Sequence, residues 1–473
     1  GQDTAHRPYL FFKMGETLAR LADYTNAYPY LKEARELALA FDDREIEIKA
    51  LYRTAFFKRV QGFDVKASEI VQQALEISEA IGDQDGKMFS MKMMGILVST
   101  RGDLDRGDTL YKCSLKLARE MGDWYAAAAC LNNLGVNAMY RGDLSQAMRF
   151  LEEGIKIVEQ NNLRYVLPFL FDNYGRSVWP RGDYQGSRVY LEEGLSVAEQ
   201  TGDLWLKTVL LTDLGDLSRV WGHYNAAKTF LEQAIHEAQE RGEKSFEAYP
   251  LYFFGHLLIA TGDYAKAQFA FEKAYSFYKK NNRIFEMGEC LYGLGLTAIW
   301  SGQYEQALGK FNSALEITNE AHIFLSTQVV RGIGEVHHKQ GEDKIASKYY
   351  LKSLSIAAEN EYRIEMVYCH ASLGLIYAES GDFKTARNQF SQALQISTEI
   401  EMMPGVAETF VGISLLLSKT GKWREAVKLA AFVTGVKECS YDTQERAQIL
   451  LEEISLVMVR DEFDQAKNIG ESM

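Results

Sequence analysis

The chain has 473 residues, 47% of them hydrophobic and 25% charged, a composition typical of a folded protein rather than a disordered one. Its net charge of −13, without a dense cluster of Lys and Arg, argues against direct binding to nucleic acid. No apolar run approaches the roughly 18 residues that a membrane span needs, so we expect a cytoplasmic protein without membrane contact.

The five cysteines are far apart in the sequence and form no CxxC pair. We therefore expect free thiols in a reducing compartment. The chain begins with Gly1 instead of Met, and we expect either a fragment excised from a longer protein or the remnant of a tag.

A repeat with a period of roughly 40 residues, a length typical of stacked helix pairs, runs along the chain. Its first mark is a small residue, usually glycine, within a predicted helix, and successive copies are evenly spaced except for a single shorter step. These positions are Gly15, Ala55, Gly95, Gly135, Gly175, Gly215, Gly255, Gly295, Gly334, Gly374 and Ser414. Eleven units in one register predict helix pairs that stack on each other, because one pair alone cannot bury its apolar face.

Each unit is predicted to consist of helix A, a turn, helix B and a second turn. A glycine within helix A costs about 1 kcal/mol against alanine, so its recurrence implies a close neighbouring helix. Seven residues later, ten of the eleven units have a glycine, which predicts a left-handed residue ending helix A. An Asp often follows, as at Asp143, and suits the start of helix B. Residues 58–64 and 340–344 depart from the pattern, and we place the missing residue of the shorter step in the second segment.

The last residues break the period, and the sequence predicts one helix over residues 441–460 and a short one over residues 462–469. We therefore assign residues 1–437 to the repeat array and residues 438–473 to capping helices. A repeat array needs such a cap because its last apolar face is otherwise exposed.

The Leu134-Gly135 and Leu294-Gly295 pairs, the Gly-Asp-Tyr/Leu turns and the small-aromatic-small pattern of helix B resemble the tetratricopeptide repeat. The resemblance covers about residues 8–437 and implies an all-α, right-handed α-solenoid of about eleven helix pairs with a C-terminal helical cap. The 40-residue unit and the tail look like those of MalT-like bacterial regulators of the STAND class, signal-transduction NTPases with such repeats. This resemblance implies a sensor or scaffold domain, and the alternative is a free-standing adaptor that binds a peptide or helix of a partner protein.

In tetratricopeptide arrays helix A lines the concave groove, and the resemblance assigns the groove to positions −6, −3, −2, +1, +4 and +5 relative to the helix glycine. In the middle repeats these positions mix aromatic, amide and charged side chains, as binding surfaces do. They are Asn132, Asn133, Asp172, Asn173, Arg176, Trp179, Asp213, Asp216, Arg219, Tyr249, Tyr252, Phe253, His256, Glu289, Tyr292 and Trp300. The implied partner is a protein, a peptide or a small-molecule effector, and oligomerisation of the full-length protein is left open.

Other motifs predict no chemistry. Residues 293–298 match the dinucleotide pattern G-x-G-x-x-A, but they lie within a predicted helix instead of at a strand-to-helix turn. The sequence has no G-x-x-x-x-G-K-[ST] loop and no recognisable acid, base and nucleophile set, so we expect neither an enzyme nor a cofactor. His337 and His338 are adjacent on a helix and point about 100° apart, so we expect no metal site. Cys130, Cys290 and Cys369 share one repeat position and are predicted to be buried.

Overall fold

The computed structural model describes residues 6–20, 24–61, 63–240, 244–318 and 321–473. Across these ranges the chain is all-α, without a strand, and its helices form eleven antiparallel pairs followed by two further helices. The first six pairs are α1 (Arg7–Arg20) with α2 (Tyr24–Phe41), α3 (Arg44–Val60) with α4 (Asp64–Ile81), α5 (Gln84–Ser99) with α6 (Leu104–Met121), α7 (Trp124–Tyr140) with α8 (Leu144–Gln160), α9 (Leu167–Val178) with α10 (Tyr184–Thr201), and α11 (Leu204–Val220) with α12 (Tyr224–Glu240).

The remaining pairs continue the same arrangement. They are α13 (Lys244–Ala260) with α14 (Tyr264–Lys280), α15 (Ile284–Trp300) with α16 (Tyr304–Thr318), α17 (Ile323–Lys339) with α18 (Asp343–Glu359), α19 (Arg363–Glu379) with α20 (Phe383–Glu399), and α21 (Met403–Lys419) with α22 (Trp423–Gly435). The last two helices are α23 (Tyr441–Ser455) and α24 (Arg460–Glu471), and short 3-10 segments at Arg164–Val166 and Trp179–Arg181 flank α9. The predicted helical solenoid is thereby confirmed. No helix of the described ranges combines the length and the apolar character that crossing a bilayer requires.

The turn between the two helices of a pair has the predicted chemistry. Gly142 has a φ of 80°, and the Asp143 side chain accepts a hydrogen bond of 2.8 Å from the Gln146 main-chain N–H. The glycine ends helix A in the left-handed conformation, while the aspartate satisfies a free donor at the start of helix B. In the first two units the corresponding positions, Ala22 and Gly62, lie outside the described residues.

The glycine within helix A leaves space for a bulky residue of helix B. A Cβ atom at Gly135 would lie 2.9 Å from Leu151 Cγ, and one at Gly215 would lie 2.6 Å from Leu231 Cγ. The predicted close helix contact is thus present in these pairs. Leu151 and Leu231 occupy the same position of the repeat, so both pairs approach through the same side chain of helix B.

The missing residue of the repeat does not lie at residues 340–344, where the sequence had placed it. Helix α16 begins a full period after α14, whereas α17 begins one residue short of a full period after α15, so the residue is missing between α16 and α17. The turn at Gly341 keeps its positive φ of 76°. This turn looks irregular in the sequence because Glu342 takes the place of the usual Asp. The Glu342 side chain makes no cap hydrogen bond at the start of α18.

The array winds so tightly that successive superhelical turns touch. We call this contact surface the seam: it is formed by the turn glycines Gly102, Gly142, Gly182, Gly222 and Gly262 on one side and by Ile284, Asn360, Tyr362, Ile400, Pro404, Glu438 and Tyr441 on the other. A Cβ atom at Gly222, for example, would lie 2.8 Å from the Glu438 main-chain oxygen. The later turn glycines, such as Gly302 and Gly381, have no atom within 4 Å of that position, because no further superhelical turn covers them.

The two last helices differ from the predicted boundaries. Helix α23 ends at Ser455, before the predicted end at residue 460, and α24 begins at Arg460. Leu456 caps the end of α23, and the extended backbone of Val459 (φ −60°, ψ 131°) keeps α24 a separate helix. Ala466 of α24 packs into a buried cluster with residues of α22 and α23, so both helices cover the last pair.

Candidate functional site

The superhelix encloses a cavity of ≈ 770 Å³. Its lining comes mainly from the first helices of the pairs, α7 to α21, and from α23. Ligand sites in proteins have volumes of about 300–1,000 Å³, so the cavity is large enough for a small molecule or a short peptide segment.

Eleven of the sixteen predicted groove residues line this cavity: Arg176, Trp179, Asp213, Asp216, Arg219, Tyr252, Phe253, His256, Glu289, Tyr292 and Trp300. They come from four successive units and meet because each first helix turns the same face toward the superhelix axis. Their role in ligand binding stays a prediction.

The other five, Asn132, Asn133, Asp172, Asn173 and Tyr249, do not line the cavity. Asn173 Nδ2 donates to Asn132 Oδ1 at 2.9 Å and to the Phe169 main-chain oxygen at 3.1 Å. Tyr249 donates its hydroxyl hydrogen to Asp213 Oδ1 at 2.6 Å. Asn173 and Tyr249 thereby join neighbouring first helices, because a polar group between packed helices needs a partner there.

Asp172 of α9 and Asp213 of α11 form a buried carboxyl pair, with only 6% and 5% of their surfaces exposed. Burial, followed by the nearby charge of Asp213, raises the pKa of Asp172 well above its usual range. Asp172 Oδ1 and Asp213 Oδ2 have no hydrogen-bond partner within the described ranges. The two carboxyl groups lie within hydrogen-bonding reach of each other, so a proton held by Asp172 can join them.

Three arginines of the cavity wall are neutralised by carboxylates of the protein. Arg219 Nη2 lies 2.6 Å from Asp216 Oδ1, and Arg331 Nε lies 2.7 Å from Glu365 Oε2. Arg446 of the cap forms ion pairs with Glu408 and Asp442.

Arg176 differs from these arginines. It lines the cavity, yet in the part of the chain that the structure describes it has neither a hydrogen bond nor an ion pair. Its surroundings include Asp172, Asp213 and Tyr249, which lie close enough to act on its charge. A guanidinium without a partner beside a cavity is suited to bind a carbonyl or carboxylate of a ligand.

His256 contributes an uncharged ring to the wall. Burial, and then the charge of Arg219, lower the pKa of His256 well below its usual range. Its ring lies edge-on to Tyr252 at 4.8 Å and to Phe271 at 5.0 Å between centroids. This part of the wall is therefore aromatic and neutral, unlike the region around Asp213.

The later units contribute lining residues that are not among the predicted groove residues. The same six positions, counted from Gly334, Gly374 and Ser414, give Gln328, Arg331, Glu335, His338, Lys339, Tyr368, Ser372, Leu375, Glu379, Glu408, Val411 and Leu415. The repeat register was therefore sufficient to find them. The register could not identify Asp442, Thr443 and Arg446, because α23 lies outside the repeat.

His338 lies between two carboxylates, with Nδ1 2.8 Å from Asp343 and Nε2 3.8 Å from Glu379. These three side chains could in principle surround a cation. Each ring nitrogen already faces a carboxylate, and Nδ1 is hydrogen-bonded to Asp343. His337 instead faces Glu342, so the two histidines point to different partners, as predicted.

Three segments of the chain match family models described as tetratricopeptide repeat: residues 127–161, 248–281 and 324–399. Together with the eleven helix pairs, these matches show that the chain carries tetratricopeptide repeats. Two curated relatives, Tetratricopeptide repeat protein 29 of Macaca fascicularis and of Homo sapiens, are each 33% identical over 110 residues. That segment is 23% of this chain and 23% of each relative, so the match spans less than a quarter of the relatives' length.

The fold is also similar to that of a solved Rap protein, in a structure described as Rap protein complexed with Competence and Sporulation Factor. The TM-score is 0.55 and the identity is 13%, over 75% of this chain and 98% of the Rap chain. At this identity the likeness concerns the fold, a helical repeat solenoid.

Proposed function

We propose that the chain is a binding scaffold whose interior cavity holds a peptide or an extended segment of a partner protein. The observation that carries the proposal is the cavity wall, which combines aromatic rings such as Tyr252 and Trp300 with Arg176, a guanidinium that has no hydrogen bond or ion pair in the described structure. Such a guanidinium can donate hydrogen bonds to the main-chain carbonyl or carboxylate oxygens of a bound segment. These features support binding as the function of the cavity.

The similar Rap protein supports the proposal by analogy of fold. That protein was solved complexed with Competence and Sporulation Factor, so a solenoid of related shape holds a binding partner. In the present chain the cavity reaches the capping helix α23 through Thr443 and Arg446. We therefore assign residues 438–473 a part in binding in addition to their role as a cap.

A finer proposal concerns the longer protein. The 40-residue unit and the tail support a C-terminal sensor of a STAND-type signalling or transcription-regulating NTPase, with a cytoplasmic location. The alternative is a free-standing adaptor. A phosphate-binding loop encoded upstream of this chain supports the sensor, and its absence from the full-length gene supports the adaptor.

The test uses a peptide selected from a display library against the purified chain. Ala260 ends α13 and lines the cavity, and the residue at the same repeat position two helices later is Trp300. Ala260→Trp therefore fills the cavity with a side chain that the fold already accepts at this position. We expect this variant to weaken the selected peptide at least about tenfold, equivalent to ~1.4 kcal/mol.

The matched control is Ala265→Trp, an exposed position on α14. It adds the same side chain to the outer surface and should leave the peptide affinity unchanged. Unchanged binding by Ala260→Trp, together with lost binding by Ala265→Trp, would show that partners use the convex surface.

A further inference from the structure

We propose that copies of this chain associate head to tail, with the N-terminal edge of the superhelix in one copy packed against the C-terminal edge in another. Each edge presents the repeat positions that form one side of the seam, but no superhelical turn of the described chain covers it. A second copy would therefore bind as the next superhelical turn does. This association is independent of the proposed ligand, because it involves the outer edges of the superhelix instead of its cavity.

The N-terminal edge consists of the turns that precede the first helices of the early pairs, from α3 to α11, together with the first residues of those helices. Apolar side chains are exposed along it, although the same kind of turn is buried in the later units. They are Phe41, Ile81, Met121, Trp124, Tyr125, Tyr165 and Leu204. Exposed apolar residues that follow one edge mark an interaction surface, whereas scattered ones do not.

Met121 shows what such a residue does when a superhelical turn covers it. Fourteen residues separate Met121 from the small helix-A residue of its unit, and the same number separates Ile400 from its own, so the two occupy one repeat position. Ile400 packs against Gly182 across the seam and is only 3% exposed. Met121 is 46% exposed. The N-terminal edge therefore presents an unburied copy of a seam residue.

Tyr125 repeats this relationship with an aromatic ring. Tyr125 and Phe285 each precede the helix-A glycine of their unit by ten residues. Phe285 stacks on Tyr140 of the preceding superhelical turn and is 1% exposed. The Tyr125 ring instead lies on the surface, where it stacks only on the exposed Tyr165 of the next unit. A covering turn would bury both rings.

The C-terminal edge presents the other side of the seam. It consists of the turns that follow α15, α17, α19 and α21, and of the segment after α23. The turn glycines there are exposed, and a Cβ atom at Gly381 would meet no atom within 4 Å, whereas Gly182 lies against Ile400. This edge also exposes apolar side chains, namely Trp423, Leu456, Val457 and Val459.

The seam itself identifies the occupant of the two edges. Within one chain it already packs turns of the C-terminal-edge type against turns of the N-terminal-edge type, as where Gly182 meets Ile400. The partner that matches either edge is therefore the opposite edge of a second copy. Because two different surfaces take part, the contact is heterologous, and it extends to chains of several copies or closes into a ring.

Sedimentation velocity of the purified chain tests this association, under reducing conditions because Cys113 is exposed. We expect the average mass to rise with concentration beyond that of a dimer. Met121→Lys and Leu456→Lys should each remove this rise, since each buries a charge in an apolar contact. Phe269→Lys is the matched control, because Phe269 is an exposed apolar residue of α14, a second helix, and should leave the rise unchanged.

Mixing the two variants tests the polarity of the contact. Met121→Lys keeps an intact C-terminal edge, and Leu456→Lys keeps an intact N-terminal edge. An equimolar mixture should therefore form dimers that contain one copy of each variant and should grow no further. Circular dichroism and thermal melting establish that the variants are folded, and Tyr165→Lys or Val457→Lys replaces a variant that is not.

Three results would overturn the inference. The first is a wild-type chain that stays monomeric up to about 1 mM, the range in which weak specific contacts are populated; the edges would then be free or covered by other parts of a longer protein. The second is association of both edge variants like the wild type. The third is a mixture that stays monomeric although the wild type associates, because this would indicate a two-fold contact between identical surfaces.

Discussion

The indole nitrogen of Trp221 donates a hydrogen bond of 3.2 Å to the main-chain oxygen of Glu401, although 180 residues separate them. This bond crosses the seam between successive superhelical turns. Farther along the same seam Arg181 pairs with Glu361, and the Tyr140 ring stacks on Phe285 at 4.3 Å. The contacts fix how tightly the solenoid winds, and thereby the width of the cavity inside it.

Gly182→Ala should destabilise the protein more than Gly381→Ala. Both glycines have a positive φ, 91° and 87°, so alanine costs about 1–2 kcal/mol of backbone strain at either position. At Gly182 the new methyl group also overlaps Ile400 across the seam, whereas Gly381 has no atom within 4 Å. We expect an additional loss of about 1–3 kcal/mol for Gly182→Ala in denaturant unfolding.

The two glycine variants also differ in where the protein opens. Hydrogen exchange of amides around Ile400 should accelerate in Gly182→Ala and stay unchanged in Gly381→Ala, because only the first substitution disturbs the seam. Equal destabilisation by both variants would show that the seam contributes no stability.

Gly215→Leu and Gly309→Leu should have opposite effects. A Cβ atom at Gly215 lies 2.6 Å from Leu231 Cγ, so leucine overpacks the contact between α11 and α12 and costs about 1–3 kcal/mol or more. Gly309 is exposed within α16 with nothing within 4 Å, and leucine there should stabilise the helix by roughly 0.5–1 kcal/mol. Thermal unfolding measures both, and a neutral Gly215→Leu variant would contradict the close helix contact.

Asp172→Asn should change how stability depends on pH. The pKa of Asp172 is raised in the folded protein, by burial and then by Asp213, so the folded state binds this proton more tightly than the unfolded chain does. The resulting stability is present below the unfolded pKa of about 3.9 and is lost as the pH rises through the folded pKa. As the pH rises, the melting temperature of Asp172→Asn should therefore increase relative to that of the wild type.

Asp382→Asn is the control, because its effect on stability should depend on pH in the opposite direction. Hydrogen bonds from Thr385 lower the pKa of this exposed carboxyl, so its contribution is present above the unfolded pKa and is lost as the pH falls. A difference between Asp172→Asn and the wild type that does not vary with pH would show that Asp172 is ionised in the folded protein.

Only one of the five thiols should react rapidly in the native protein. Cys113 is exposed, whereas Cys130, Cys290, Cys369 and Cys439 are buried. Burial raises the pKa of Cys369 to about 12, and burial also raises the pKa of the other three buried thiols. Because the thiolate is the reactive form, titration with Ellman's reagent should show one fast thiol, assigned by Cys113→Ser, and five after unfolding. More than one fast thiol would show that the packing is looser than described.

Much of the fold follows from local sequence. The glycines and the aspartate caps act within one helix pair, so the repeat register predicts the pairs and their turns, as at Gly142 and Asp143. The register also indicates which side of each first helix faces the cavity. It would have found the later lining residues Glu335 and Glu408 as readily as Arg176.

The tertiary structure alone decides how the units meet at long range. Whether Gly182 contacts Ile400, or Trp221 contacts Glu401, depends on the curvature of the array, which is the sum of small rotations between all the intervening units. The sequence determined the repeat, the helix pairs and the side of each helix that faces inward, because those features depend on residues close together in the chain. The seam, the enclosed cavity and the buried Asp172–Asp213 pair depend on accumulated geometry that no local pattern contains.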